Sequence, residues 1–195
     1  MRLHLALLAL LLPGVAGCAS TNGPNETFER GLAQAESGDV NGAIETLSAG
    51  VNESPGHVPM HFELARLQYE VGEALHLRER QLRREAAQLE QKADGREKAA
   101  ENHRKANDLR AKATPYYQQA RDHLRFVVER EEDDHRAAWA STILCRVCVF
   151  FEDWEEAAEA LGKAIERGRP TGFLLAQWRE FLSGLREKMG KRPNF

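Results

Sequence analysis

Cysteine, proline and aromatic residues are scarce in this 195-residue chain: three Cys, seven Pro, and 7% Phe, Trp and Tyr together. Three thiols cannot supply the dense cross-links of a small secreted domain. A chain of this length buries roughly 70% of the surface its unfolded form exposes, so it needs no such scaffold. A large excess of either charge is missing too. Twenty-seven Lys and Arg stand against 30 Asp and Glu, a net charge of −3. That balance, with a pI near 6.2, excludes a surface dominated by the clustered cations that neutralise nucleic-acid phosphates. The seven histidines form no His-Glu-x-x-His array, and no Gly-x-Ser-x-Gly, phosphate loop or dinucleotide fingerprint occurs. No catalytic residue, metal ligand or cofactor is therefore expected, and the chain reads as a non-enzyme. What is present, 42% hydrophobic and 29% charged residues, is the composition of an ordinary folded domain.

The first seventeen residues stand apart from the rest. Met1 and Arg2 form a short positive start, residues 3–12 are apolar except for His4, and Pro13-Gly14 precedes Val15-Ala16-Gly17-Cys18. Ten to twelve apolar residues are too few to cross a hydrocarbon layer of about 30 Å, so residues 1–17 read as a secretory signal peptide and not as an anchor. Val-Ala-Gly-Cys closely resembles the lipobox of bacterial lipoproteins. The resemblance implies cleavage before Cys18, a diacylglycerol on its sulfur, acylation of the new amino terminus, and a lipid-anchored protein of the cell envelope. Each buried CH₂ contributes about 0.8 kcal/mol, so several acyl chains make attachment effectively permanent. Ala19 in place of Asp implies, by the same resemblance, the periplasmic face of the outer membrane if the source is a diderm bacterium. Ordinary secretion with a chance cysteine is the other reading of these residues. Residues 18–25 are a polar tether, and seven extended residues reach only about 25 Å.

From residue 26 onward apolar residues recur at three- and four-residue spacings, and Gly or Pro punctuates the chain every fifteen to twenty residues. This predicts an all-α fold without strands. One stretch carries Gly31, Gly38-Asp39-Val40, Ala43, Leu47 and Gly50; another carries Cys145, Glu152-Asp153-Trp154, Ala157, Leu161 and Ala164, each exactly offset by 114 residues. Small residues where two helices cross, with a large apolar residue beside them, resemble the tetratricopeptide repeat, a 34-residue pair of antiparallel helices. Asp39 and Asp153 stand where helix N-caps belong. The resemblance covers residues 24–57, 58–72 joined to 115–134, and 135–168. It implies a helical-repeat solenoid over residues 26–189, with a C-terminal capping helix after Pro170 and a short tail over residues 190–195. Arg30 at a normally apolar position, and Glu132 and Arg169 where the family has proline, depart from the pattern.

The middle repeat is split by residues 73–113, which carry eleven Lys or Arg and eight Asp or Glu. Leu75, Leu82 and Leu89 recur every seven residues, as do Ala99, Ala106 and Ala113, and Asp94-Gly95 stands between the two runs. A seam with a sharp reversal predicts a long inserted antiparallel helical hairpin, with Thr114-Pro115 restarting or kinking the chain behind it. Three roles remain open for it: a solvated spacer arm, a coiled-coil arm that binds a partner, or contact with an anionic lipid or polymer. Since Arg2 leaves with the signal, the arm is +3 and the remaining body −7.

Cys145 and Cys148 also leave alternatives: core packing, an occasional disulfide, or a metal pair. Residues three apart on a helix have Cβ atoms about 5–6 Å apart, beyond the 3.5–4.5 Å a disulfide prefers, which favours packing. In the repeat family ligands lie in a groove lined by the first helix of each pair. Carried over onto this chain, that places Phe62, Arg66, Tyr69, Trp139, Arg146 and Phe150 in a peptide- or protein-binding groove. Two guanidinium groups among aromatic rings suit carboxylates on a partner. The expected function is a membrane-anchored scaffold that binds another envelope protein or peptide and assists assembly of an envelope complex. The alternative is a structural lipoprotein that self-associates through its arm or capping helix.

Overall fold

A computed structural model describes residues 23–92 and 94–190. Residues 1–17, Cys18 and most of the tether lie outside the described residues, as do residues 191–195. Seven helices make up the described chain: α1 (Pro24–Glu36), α2 (Val40–Glu53), α3 (Val58–Glu90), α4 (Arg96–Arg130), α5 (Asp134–Phe150), α6 (Trp154–Gly168) and α7 (Gly172–Gly190). The fold is all-α. No helix among the described residues is long and apolar enough to cross a membrane. The first helix starts at Pro24 and takes in the last two residues of the expected tether, because the fixed φ of proline suits a first helical turn whose N–H groups lack intrahelical partners anyway.

Each helix packs against the next in sequence, and α3 also touches α1 and α5. Connections of three to five residues force consecutive helices to reverse. For α3 and α4 the reversal is written in their cross-bonds. Gln68 bonds Gln119 at 3.0 Å, Tyr117 donates to Glu73 at 2.7 Å, Arg83 to Asn107 at 3.0 Å, and His103 meets Glu90 at 3.0 Å. As the position climbs along α3, its partner falls along α4. The buried seam between them is Leu82 and Ala86 against Ala99, Ala106, Ala113 and Ala120, small residues that let two backbones approach closely. Helix α4 runs unbroken through Pro115, where a restart or kink is expected from the sequence. Fully buried Ala113 and Tyr117 on either side of the proline bind the helix to its neighbours strongly enough to offset a cost of about 3 kcal/mol.

The turns after α1 and α5 repeat one another. Gly38 N–H bonds Ala35 O at 3.0 Å and Asp39 N–H bonds Gln34 O at 2.9 Å; Glu152 N–H bonds Val149 O at 3.1 Å and Asp153 N–H bonds Cys148 O at 2.9 Å. Gly38 and Glu152 both take positive φ, 86° and 58°, the left-handed corner that closes a helix. Asp39 and Asp153 then cap α2 and α6, accepting from Gly42 and Glu156 N–H. Where α1 meets α2, a Cβ on Gly31 would lie 2.6 Å from Leu47 Cδ2, so only glycine permits that approach.

Two buried cores result. A smaller one gathers Ala43, Leu47, Met60, Leu64 and Leu67 around α2 and α3; a larger one joins α3 to α7 through residues such as Tyr117, Leu124, Val147 and Leu161. Helix α7 closes the second core with Leu185 buried and Trp178 and Leu182 half-buried, while Phe173 and Phe181 stay exposed. Cys145 and Cys148 are buried thiols that form no disulfide. Burial pushes the Cys145 thiol up to about 12, and burial together with the Glu156 carboxylate raises that of Cys148, so neither supplies thiolate for chemistry.

Candidate functional site

The groove residues expected from the sequence come from two helices that touch, α3 and α5. At one end Phe62 and Trp139 pack with ring centroids 5.2 Å apart, tilted by 50°. Trp139 remains 42% exposed, an aromatic face available to solvent. One and two turns further along α3, Arg66 and Tyr69 follow. Arg66 is committed to its own helix: its Nε bonds both Glu63 oxygens at 3.0 Å and its Nη1 bonds Glu70 at 2.6 Å. Those carboxylates, Glu63 foremost, raise its pKa and neutralise it locally, so the guanidinium is spent inside the chain. Tyr69 is 8% exposed, with the Arg146 guanidinium 5.9 Å from its ring centroid. Burial raises the Tyr69 pKa and the Glu73 carboxylate adds to the effect, so the phenol is neutral.

Phe150 belongs more to the core than to a groove. It is 7% exposed, 4.4 Å from Tyr117 and 5.1 Å from His76, ring centroid to centroid. The Arg110 guanidinium covers its ring at 4.5 Å. The structure thus joins Phe62 to Trp139 and Tyr69 to Arg146, sets Phe150 one layer deeper, and leaves Arg66 paired within α3.

At the root of the long helices lies a cleft of about 330 Å³, lined by Arg80 of α3, Arg110 of α4, Arg146 of α5, Trp154 of α6 and Phe181 of α7. That volume suits one or two side chains. Glu73 lies on its wall with Tyr117 O–H donating to it at 2.7 Å. Arg80 has no hydrogen-bond or ion-pair partner among the described residues, and Arg146 has no carboxylate partner there. Arg110 is held in place: it stacks on Phe150 and donates from Nη2 to the Phe150 carbonyl at 3.2 Å.

Sequence reasoning missed Arg80, Arg110, Trp154 and Phe181. The first two stand among the charges of residues 73–113 with nothing in their spacing to separate them from solvated neighbours. Trp154 opens α6, outside the helices expected to line a groove, and Phe181 reads from the sequence as one more apolar position of an amphipathic helix. Only the return of α4 beside α3 and α5 brings the three arginines together.

No protein-family model matches this sequence, and no curated protein matches it either.

Proposed function

We propose that this chain is a lipid-anchored scaffold of the tetratricopeptide-repeat kind, which holds another protein of the cell envelope in the channel between α3 and α5. Two observations support the repeat reading: the turns after α1 and α5 share their hydrogen bonds at an offset of 114 residues, and α3 touches both α1 and α5. In it, residues 73–113 are an insertion that extends a helix pair into an arm, and α7 caps the stack. The observation that carries the binding reading is Trp139, exposed yet tilted against Phe62 and two turns before Arg146 on α5, where the Arg146 guanidinium faces the Tyr69 ring. Exposed aromatics flanked by arginine are the composition of binding hot spots. Attachment through acylated Cys18 holds this channel near the bilayer, on the periplasmic face of the outer membrane in a diderm cell.

The test is crosslinking of the full chain in its native envelope, followed by identification of bound proteins. Trp139→Ala with Arg146→Glu removes the recovered partner, and retention of every partner by that variant sinks the channel reading. Arg66→Glu is a weaker probe because Arg66 already spends its charge on Glu63 and Glu70. Metabolic labelling with palmitate tests the anchor: the label disappears in Cys18→Ser. Self-association is a second reading, favoured by Phe173 and Phe181 standing 78% and 47% exposed on α7.

A further inference from the structure

We propose that the cleft at the root of α3 and α4 receives an acidic segment of the partner polypeptide. Arg80, Arg110 and Arg146 grip a side-chain carboxylate, and a neighbouring aromatic or large aliphatic side chain lies against Trp154 and Phe181. This deepens the channel reading and rests on it.

Partly buried arginines elsewhere are engaged, whereas Arg80 and Arg146 are exposed and unpaired by any carboxylate among the described residues. Arg66 pairs with Glu63 and Glu70, Arg121 with Asp153 and Glu156, and Arg167 with Asp134. The cleft is different. Arg80 spends no donor within the described chain, and Arg146 only faces the Tyr69 ring. Arg110 uses Nη2 on the Phe150 carbonyl, and its nearest carboxylate, Glu79, is 3.9 Å away. Glu79 is already bonded by Arg83 and His76, each at 2.7 Å, so it leaves most of the five N–H donors of Arg110 unspent. Three guanidinium groups therefore share a wall with two carboxylates. One of these, Glu73, accepts a hydrogen bond from the Tyr117 hydroxyl, and the other, Glu152, is engaged as well. The excess is cationic, beside aromatic faces.

Charge complementarity then selects the occupant. Stacking on Phe150 and the bond to its carbonyl hold Arg110 in one orientation, so less side-chain freedom is lost when a carboxylate arrives. Two or three guanidinium donors on one carboxylate, with rings alongside, discriminate an acidic segment from a neutral one. Around Arg66 the channel holds its own carboxylates, Glu63 and Glu70, so the acidic part of the segment docks at the root and not at the Phe62 end.

A random dodecapeptide display library selected on the full-length chain in detergent tests this. The expected winners carry Asp or Glu next to an aromatic or large aliphatic residue. Fluorescence anisotropy of a synthesised winner gives about a tenfold or greater loss of affinity in Arg80→Gln with Arg146→Gln, since hydrogen bonds to charged groups are worth that much. Replacing the acid of that peptide by Gln gives a similar loss, and combining both changes adds little more. Arg80 and Arg146 are exposed, and circular dichroism checks that helix content is kept. Acidic winners that bind the double variant undiminished overturn the assignment of the cleft. Winners without acid that are lost on Trp139→Ala overturn it while leaving the channel reading intact. An absence of enrichment over bare support overturns both.

Discussion

Glu156 carries more of the fold than its surface position in α6 announces. Arg121 and Arg125 of α4 both donate to it, Arg125 Nε at 2.5 Å, and Arg121 reaches Asp153 as well. Burial alone would raise the Glu156 pKa, but the hydrogen bonds from Arg125 and Arg121 outweigh it and hold the carboxyl at about 2, against 4.5 for a free one. A carboxyl depressed in this way contributes stability that is present above pH 4.5 and lost as pH falls toward 2. Glu156→Gln is expected to cost about 2–3 kcal/mol at pH 7 and to flatten the stability profile below pH 4.5, read from urea melts at several pH values. A second residue pair acts in a different window. His61 Nε2 meets Pro55 O at 3.0 Å, so it is the donor there; its Nδ1 then accepts from His123 Nδ1–H at 2.9 Å, and both rings are neutral. Burial lowers the His123 pKa to about 4 from 6.5, and His61 adds to the shift. The unfolded chain takes up this proton first as pH falls, so His123 lowers stability between pH 6.5 and 4. His123→Gln reduces the slope in that window, where His61, its own pKa lowered by burial, still contributes, and leaves the Glu156 slope below it. The caps Asp39 and Asp153 were legible in the sequence, since an acid before a helical run is a local signal. The partners of Glu156 and His123 were not, being 31 to 62 residues distant.

Helix pairs separate two kinds of glycine. Gly31 faces the Leu47 side chain, which is fully buried and cannot give way, so Gly31→Ala is expected to cost about 1–3 kcal/mol through overpacking. Gly162, inside α6, has nothing within 4 Å of its Cβ position, and Gly162→Ala is expected to gain about 0.5–1 kcal/mol from helix propensity. Thermal melts of both variants check the signs. The outer lengths of α3 and α4 form a third case: their buried seam is thin, and apart from Leu82 it is largely alanine and salt-bridged Glu79. Leu82→Asp with Leu89→Asp is expected to open hydrogen exchange over residues 75–110 while α5 and α6 keep their protection. Loss of protection everywhere would show instead that the arm is integral to the core. The heptads announced these helices, because periodicity is local. The continuity of α4 through Pro115 was not legible, because it depends on what Ala113 and Tyr117 touch.

Across the molecule, charge and apolar surface are unevenly divided. The stretch from 73 to 113 is the cationic part of an otherwise acidic chain, and its root supplies Arg80 and Arg110 to the cleft. Helix α7 places Phe173 in solvent at 78% exposure and Phe181 at the cleft rim. A second copy covering this face would hide the cleft as well. Light scattering of the full chain in detergent separates the two readings of function: a single protein copy per particle leaves the cleft free for a partner. A stable dimer that Phe173→Glu dissolves makes α7 the interface.

Periodicity, small-residue spacing and turn chemistry act over a few residues, so the sequence alone established an all-α chain, the N-caps, the offset of 114 residues and the reversal near Asp94-Gly95. Which arginine is free and which is spent was decided by tertiary structure. Arg66 and Arg146 stand at positions that the repeat resemblance makes equivalent, yet one meets Glu63 and Glu70 and the other meets Tyr69 and no carboxylate among the described residues. Coulomb interactions fall off over a few ångströms of space and not of sequence. The cleft exists because α4 returns to lay Arg110 on Phe150, forty residues further along the chain.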